Sequence, residues 1–179
     1  QLFRAASCLL APLYKAHKFF ITRGDLHYTS LWILNAATPL AQIEVMSEGQ
    51  LADREVLLQA MKINPEFFRI IYTDLLDNRR SRESVAAAID AIDNYLRVRA
   101  RRLFAPLLEY LRKTGEARSA TELDAHFKKT FDIDMASAAC EYLADAGFIQ
   151  KVSIGTQLTR HSNLSVQELA FVHVEEHLR

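Results

Sequence analysis

The stretch from Ser119 to Ser153 constrains the fold more tightly than any other part of the chain. Ser119 and Glu122 have the spacing of a capping box, in which a hydroxyl and a carboxylate bond free backbone N–H groups at a helix start. Apolar residues then recur at every fourth position, at Leu123, Phe127 and Phe131. A second helical pattern ends at Gly147, which can adopt the left-handed conformation of a helix C-terminus. The stretch is therefore predicted to form a helix–turn–helix.

The second of these helices carries no lysine or arginine. Residues 135–149 are MASAACEYLADAGFI, with Glu141 and Asp145 as their only charges. The predicted buried stripe is Met135, Ala139, Tyr142, Leu143 and Ala146. Asp132 and Asp134 precede the helix, and we interpret both as caps because carboxylates are favoured at helix starts. Basic and amide side chains make most base contacts in the major groove, so this helix is poorly suited to DNA recognition.

Elements on either side extend the pattern to a winged helix. Leu103 to Lys113 has helical periodicity, with Pro106 in the first turn, where a helix tolerates proline. Phe148 to Val152 alternates like a strand, and Leu164 to Val174 is the candidate return strand of a wing. The order of helix, helix, helix and wing predicts a winged helix-turn-helix domain over residues 101–179.

The first hundred residues have helical patterns throughout. The predicted helices are Leu13–Arg23, Leu26–Glu48, Asp53–Met61, Pro65–Leu76 and a long helix capped by Ser81 or Ser84. The second is apolar on nearly all sides, which predicts burial at the centre of a bundle, and Pro39 is expected to kink it. No strand pattern precedes Phe148. Residues 1–100 are therefore predicted to form an antiparallel helical bundle, so the chain is mainly α.

The composition argues against a nucleic-acid-binding domain and against a membrane-spanning protein. Lysine plus arginine number 22, aspartate plus glutamate also number 22, and half of the residues are hydrophobic. Residues 1–100 contain 12 basic and 11 acidic side chains, and the rest contain 10 and 11, so neither part has the basic excess of a nucleic-acid-binding domain. No apolar run is long enough to span a membrane. Cys8 and Cys140 are expected to be buried thiols of a cytoplasmic protein.

Three segments of the chain resemble a known family. Residues 14–46 (YKAHKFFITRGDLHYTSLWILNAATPLAQIEVM) and 54–76 (REVLLQAMKINPEFFRIIYTDLL) resemble the helical domain of nucleotidyltransferase-like proteins of the kanamycin-nucleotidyltransferase type. Residues 139–153 (ACEYLADAGFIQKVS) are similar to the C-terminal helix–turn–helix that some of these proteins carry. The resemblance extends from about Leu10 to Ser153 and is greatest to a bacterial subgroup, the YgxA-like proteins.

The resemblance implies a non-catalytic region of such a protein. The family's catalytic domain lies N-terminal to these helices and uses a Gly-Ser turn and paired acids to bind a nucleoside triphosphate with two divalent ions. This chain has no Gly-Ser dipeptide, and its Asp-x-Asp pattern is the pair interpreted above as helix caps. No catalytic residue, metal ligand or cofactor is therefore expected here. Mg²⁺ and nucleotide would belong to an upstream domain, which is the expected partner, and a homodimer is a further expectation. Because the chain begins at Gln1 without methionine, we expect it to be a fragment of a longer protein.

Residues around the turn at Gly24 and Asp25 are candidates for contact with a substrate. They are Lys18, Arg23, His27 and Tyr28. In a bundle that closes over a nucleotidyltransferase cleft, such a turn could face the acceptor or a triphosphate. The alternative is an exposed connection between helices. Trp32, among apolar neighbours, is expected to belong to the core.

A second set of basic residues could contact phosphates or nucleic acid. Its members are Arg97, Arg101, Arg102, Lys128, Lys129 and Lys151, with Arg79, Arg80, Arg82 and Arg99 as possible additions. Arg160, His161 and Asn163 of the predicted wing could add phosphate contacts. The alternative is that these are solvated helix ends, where the helix dipole favours cations.

The C-terminal segment contains a short metal-like pattern. His173 to His177 matches the H-x-x-E-H pattern of inverted zinc proteases, but the chain ends two residues later and offers no evident third ligand. We interpret it as a polar C-terminal segment and expect no metal site.

These observations lead to one favoured function and two alternatives. The favoured hypothesis is an accessory region of a nucleotidyltransferase-like protein, with the bundle in the acceptor cleft and the winged helix used for packing or partner binding. The alternatives are a winged-helix DNA-binding transcriptional regulator with a helical dimerisation or ligand domain, and a structural adaptor. DNA binding is disfavoured by the uncharged second helix.

Overall fold

The computed structural model describes residues 1–157 and 165–174. The chain divides into two compact units, Gln1–Arg99 and Ala100–Arg179. It is mainly helical, with a small antiparallel sheet of three strands in the second unit. The mainly helical class predicted from the sequence is confirmed.

Two long antiparallel helices begin the first unit. Helix α1 spans Leu2–Arg23 and α2 spans Leu26–Ser47. Gly24 has φ 62° and ends α1, and the Asp25 carboxylate accepts the Tyr28 N–H at 2.9 Å, so the predicted turn and cap are confirmed. Helix α1 starts well before the predicted Leu13, since Pro12 interrupts one backbone bond but not the buried face that continues on both sides of it.

Helix α2 is not buried on all sides, contrary to the prediction. Its C-terminal half lies in the core, but Tyr28 is 40% exposed and Leu31 is 48% exposed in its first turns. Trp32, predicted to lie in the core, is only half-buried. Apolar composition alone did not distinguish a core helix from one whose first half has an open apolar side.

Short elements connect α2 to the next long helix. They are α3 (Val56–Ile63), α4 (Pro65–Phe68), a π-helical segment (Arg69–Thr73) and α5 (Asp74–Asp77). Asn64 caps α4 by accepting the Phe67 N–H at 3.4 Å, as predicted. The single helix predicted from Pro65 to Leu76 is instead divided by the π-helical segment. Helix α3 starts later than the predicted Asp53, because Asp53 accepts the Glu55 N–H at 2.7 Å before the helix begins.

Helix α6 spans Arg82–Leu103. Ser81 and Ser84 bond each other's backbone N–H at its start, at 3.1 and 3.0 Å, which satisfies both proposed caps. The face predicted to be buried is buried: Val85, Ile89, Ile92 and Leu96. Next to this face, the buried Glu44 carboxylate accepts hydrogen bonds from the Tyr95 hydroxyl at 2.5 Å and from Asn64 Nδ2 at 3.1 Å.

The second unit contains three further helices and the sheet. The helices are α7 (Ala105–Thr114), α8 (Ala120–Phe131) and α9 (Ala136–Asp145). The strands are β1 (Arg118–Ser119), β2 (Ile149–Gln157) and β3 (Ser165–His173), in the order β1-β3-β2. Pro106 lies in the first turn of α7, and the capping box at Ser119 is present, as predicted. The prediction of no strand before Phe148 is wrong, since β1 pairs with β3, but two residues are too few to show periodicity.

The turn between α8 and α9 differs from the prediction. Asp132 ends α8 with φ 52° and does not cap α9, and no side chain caps α9 from its N-cap residue, Met135. Instead, Asp124 of α8 accepts the Ser137 N–H at 2.8 Å. Met135 has φ 58° and is 68% exposed, so it does not belong to the buried stripe. A cap supplied by another helix cannot be recognised from local spacing.

Gly147 and Cys140 agree with the predictions, whereas Cys8 does not. Gly147 has φ 81° after α9, as predicted for a left-handed residue. Cys140 is buried as expected, whereas Cys8 is exposed on α1. Burial raises the pKa of the Cys140 thiol.

Candidate functional site

A histidine–aspartate pair joins α1 to α6. Nε2 of His17 lies 3.0 Å from Oδ1 of Asp93 and 3.0 Å from Oδ2. Ala16 belongs to the buried face of α1, so His17 lies at the border of that face. The exposed fractions of the two side chains are 36% and 41%. The pair is therefore shielded on one side and accessible on the other.

An open pocket of about 250 Å³ lies beside this pair. Its lining residues, all on α6, are Asp90, Asp93, Asn94 and Arg97. They are spaced three and four positions apart and so share one face of the helix. Within the part of the chain that the structure describes, neither the Asn94 amide nor the Arg97 guanidinium has a hydrogen-bond or ion-pair partner. We call this arrangement, with His17, the His17 pocket; it offers carboxylates, an amide and a guanidinium to a polar ligand.

The carboxylates of this pocket act on His17. The hydrogen bond that His17 donates to Asp93 raises the pKa of His17 above its ordinary value of 6.5, burial acts in the opposite direction, and the charges of Asp93 and Asp90 raise it further. Protonated imidazole is therefore favoured to a higher pH than in an isolated histidine. A histidine of this kind can exchange a proton or hold an anion near neutral pH.

The residues predicted around Gly24 lie on a surface of aromatic and basic side chains. Arg23 Cζ lies 5.1 Å from the ring centroid of Phe19, and Tyr28 meets the same ring edge-on at 4.4 Å. Lys18 and His27 are exposed. This surface lies around the α1–α2 turn, whereas the His17 pocket is lined by residues of α6 from Asp90 to Arg97.

Two lysines of the second unit that were predicted to contact phosphate are paired with carboxylates. Lys128 Nζ lies 2.9 Å from Asp132 and 3.1 Å from Asp134. Lys151 Nζ lies 2.7 Å from Asp145. The hydrogen bonds that the two lysines donate to these carboxylates raise the pKa of both lysines. A phosphate would have to displace carboxylates that already hold these cations.

The other predicted cations are dispersed. Arg97 lines the His17 pocket, and Lys129 is exposed on α8. Arg101 Cζ lies 5.4 Å from the ring centroid of Phe148, and Arg102 is exposed near the end of α6. The predicted wing residues Arg160, His161 and Asn163 lie outside the described residues, as do the last three residues of the H-x-x-E-H pattern.

The described residues form neither a metal-binding cluster nor a membrane-spanning helix. Residues 1–157 and 165–174 contain no group of three or more His, Cys, Asp or Glu side chains placed to hold a metal ion. Across the same residues, none of the helices combines the length and hydrophobicity of a membrane span.

Sequence reasoning missed the His17–Asp93 pair. The available signal was the spacing of Asp90, Asp93, Asn94 and Arg97, which places four polar side chains on one face of a helix whose other face is apolar. Nothing in the sequence indicates that His17, on a separate helix, reaches that face.

The fold has a counterpart among solved structures. The chain matches the crystal structure of a nucleotidyltransferase-like protein from Exiguobacterium sibiricum with a TM-score of 0.75 and 18% sequence identity. The match covers 97% of this chain but 58% of that protein, so the chain spans little more than half of its length. No protein-family model matches the chain, and no curated protein matches it. The chain therefore shares its fold with part of that protein.

Proposed function

We propose that this chain is the non-catalytic C-terminal region of a nucleotidyltransferase-like protein of the YgxA-like subgroup. The observation that carries the proposal is the fold shared over 97% of the chain with a longer nucleotidyltransferase-like protein. A preceding domain would bind the nucleotide and Mg²⁺ through a Gly-Ser turn and paired acids. That domain is the proposed partner of this chain.

The first unit would form one wall of the acceptor cleft. The His17 pocket is the best candidate for contact with the acceptor, because it combines a pocket with an amide and a guanidinium that have no partner among the described residues. Arg97 and Asn94 would donate to acceptor oxygens, and Asp90 would accept from hydroxyl or amine groups. His17, held in place by Asp93, would bind an anionic or hydroxyl group of the acceptor and take no part in the transfer step.

The second unit would act as a winged helix used for packing or for recruiting a partner. Three helices followed by the β2–β3 hairpin support this assignment. The absence of lysine and arginine from α9, together with the ion pairs of Lys128 and Lys151, favours a packing surface over a DNA reader. The two free cysteines fit the proposed cytoplasmic location, and the protein could act as a homodimer.

The proposal can be tested first at the level of the gene. Within one domain's length upstream of the codon for Gln1, we expect a Gly-Ser turn followed by a pair of acidic residues. An open reading frame without such a domain would overturn the proposal.

A transfer assay tests the assignment of the His17 pocket. The full-length protein would be incubated with Mg²⁺, nucleoside triphosphates labelled at the α-phosphate, and a panel of hydroxyl-bearing acceptors. Arg97→Gln is expected to raise the KM for the acceptor about tenfold or more while changing the KM for the nucleotide less, since losing a charged hydrogen bond costs roughly 1.5–3 kcal/mol. Arg112→Gln, on α7, is the matched control. Equal acceptor KM values for both variants would remove the pocket from the acceptor site.

A further inference from the structure

Two basic segments that are distant in the sequence meet at one end of the first unit. Arg82 begins α6, and its Cζ lies 4.7 Å from the ring centroid of Phe20 on α1. Its Nη1 lies 3.9 Å from the point that a Cβ at Gly24 would occupy. The α1–α2 turn and the start of α6 are therefore neighbours, which the sequence alone did not reveal.

We call this surface the basic end. The structure brings Arg23 and Arg82 to this surface, and we include with them the nearby cations Lys18 of α1 and Arg79 and Arg80, which precede α6. Arg23 and Arg82 are held over phenylalanine rings by cation–π contacts, which leave their N–H groups free for a ligand. The Nε atom of Arg80 is buried and has no hydrogen-bond partner among the described residues. Arg23 and Arg82 are thus positioned by packing against rings, and neither forms an ion pair with a carboxylate of the described residues.

The acidic residues near the basic end do not neutralise it. Asp25 uses its carboxylate to cap α2, at 2.9 Å from the Tyr28 N–H. Glu83 is held by its own backbone N–H and by the Ser81 hydroxyl, which lower its pKa, and the charge of the adjacent Arg82 lowers it further without forming an ion pair among the described residues. Asp77 is exposed at the end of α5. In the described part of the chain, none of these three carboxylates forms an ion pair with a member of the basic end.

Backbone dipoles add to the charge of the side chains. The N-terminus of α2, at Leu26, and the N-terminus of α6, at Arg82, both lie at this end of the unit. Each long helix contributes partial positive charge at its N-terminus, whereas α1 contributes negative charge at its C-terminus. Five cations, three engaged or separate carboxylates and two helix N-termini leave a net positive surface.

We propose that the basic end binds the phosphate groups of a nucleotide or of a nucleic-acid backbone. Arginine matches phosphate because its planar guanidinium donates two parallel hydrogen bonds, and three of the five cations are consecutive or nearly consecutive arginines. The proposal goes beyond the proposed function and does not depend on it, since phosphate binding requires neither an acceptor nor a transfer step.

Calorimetric titration of the full-length protein tests the inference. The probes are inorganic tripolyphosphate, ATP, adenosine and a single-stranded oligonucleotide, all at low salt with EDTA, which removes the metal needed by any Mg²⁺-dependent nucleotide site. One variant combines Arg79→Gln, Arg80→Gln and Arg82→Gln, and a second combines Lys18→Gln with Arg23→Gln. The matched control combines Lys62→Gln, Arg112→Gln and Lys113→Gln.

Both basic-end variants should lose about tenfold or more in affinity for tripolyphosphate, while the control stays within about twofold of the unchanged protein. Displacement of ATP by tripolyphosphate but not by adenosine would assign the site to a nucleotide's phosphates. Tighter binding of the oligonucleotide than of ATP, falling steeply with salt, would assign it to a nucleic-acid backbone.

Three results would overturn the inference: no binding of tripolyphosphate or oligonucleotide at low salt, an equal loss in the control variant, or a loss confined to one of the two segments. Circular dichroism checks that each variant folds. Should the arginine variant unfold, the Lys18 and Arg23 variant decides the outcome.

Discussion

Nε2 of His17 on α1 lies at the same distance, 3.0 Å, from each carboxylate oxygen of Asp93 on α6. Because the hydrogen bond that His17 donates to Asp93 raises the pKa of His17, Asp93→Asn is expected to return that pKa toward its ordinary value of 6.5 or below it. The measurement is an NMR titration of the imidazole signals, with His17→Gln used to assign the peak. Asp77→Asn, on α5, is the control and should leave the His17 titration unchanged.

The same pair predicts how stability depends on pH. The pKa of His17 is higher in the folded protein than in the unfolded chain. The pair therefore contributes fully to the free energy of unfolding at any pH below the pKa of the unfolded chain. This contribution is lost as the pH rises from about 6.5 through the raised pKa of the folded state. Urea unfolding across this range should show a smaller change in the free energy of unfolding for Asp93→Asn than for the unchanged protein. Identical pH profiles would contradict the proposed coupling.

Tyr95→Phe tests the buried carboxylate of Glu44. The substitution removes the hydroxyl that lies 2.5 Å from the carboxylate and leaves Asn64 as the remaining donor shown at that site. Loss of a partner by a buried acceptor typically lowers the free energy of unfolding by about 1–3 kcal/mol. Urea unfolding should therefore show a clear loss, whereas Tyr14→Phe, on an exposed tyrosine, should change the free energy of unfolding little. Adding Glu44→Gln to Tyr95→Phe should give a non-additive effect, as expected for groups in contact.

Met135→Gly is expected to stabilise the second unit. The φ angle of Met135 is 58°. A residue with a Cβ is destabilised by about 1–2 kcal/mol in this left-handed conformation, and glycine is not. Its side chain is 68% exposed, so little packing is lost. Ala138→Gly, in the interior of α9, is the opposing control and should destabilise by about 1 kcal/mol. A lower melting temperature for Met135→Gly would show that the methionine side chain makes a contribution larger than the backbone strain.

The second unit should bind duplex DNA weakly. Residues of α9 would have to enter a groove without lysine or arginine, and Lys128 and Lys151 are already paired with carboxylates. Fluorescence anisotropy with random-sequence duplexes at low salt measures this in the protein that carries the two sets of basic-end substitutions. Binding that persists in this variant and falls steeply with salt would indicate phosphate contacts in the second unit and would favour the regulator hypothesis.

Local sequence patterns predicted the helices and their caps well, and long-range contacts poorly. Asp25, Asn64 and Ser119 cap helices as predicted, because a cap and the N–H it accepts lie within three residues. The assignment of Asp132 and Asp134 as caps of α9 was wrong. Asp124, on the preceding helix α8, accepts the Ser137 N–H at the start of α9 instead. Strand β1 and the π-helical segment were missed for a related reason: each is short and depends on contacts with distant residues.

In the candidate sites too, local groups of residues could be predicted from the sequence, but contacts between distant residues could not. The basic residues of the Gly24 turn and of residues 79–82 were visible as separate groups, but their meeting through Arg82 and Phe20 was not. His17 and Asp93 are far apart in the sequence and belong to no recognisable motif, so only the packing of α1 beside α6 identifies them as a pair.

The start of α8 joins local and distant parts of the second unit. Ser119 accepts the Glu122 N–H, yet Ser119 is also a residue of β1 and pairs with Ala170 of β3. Glu168, 47 residues along the chain, accepts the Thr121 N–H at 3.0 Å. The first turn of α8 therefore cannot be fully hydrogen-bonded until the chain has closed the long loop to β3. The amides of helix and sheet should be protected from hydrogen exchange together and open as one cooperative block, so that the pairing of β3 determines when the helix becomes stable.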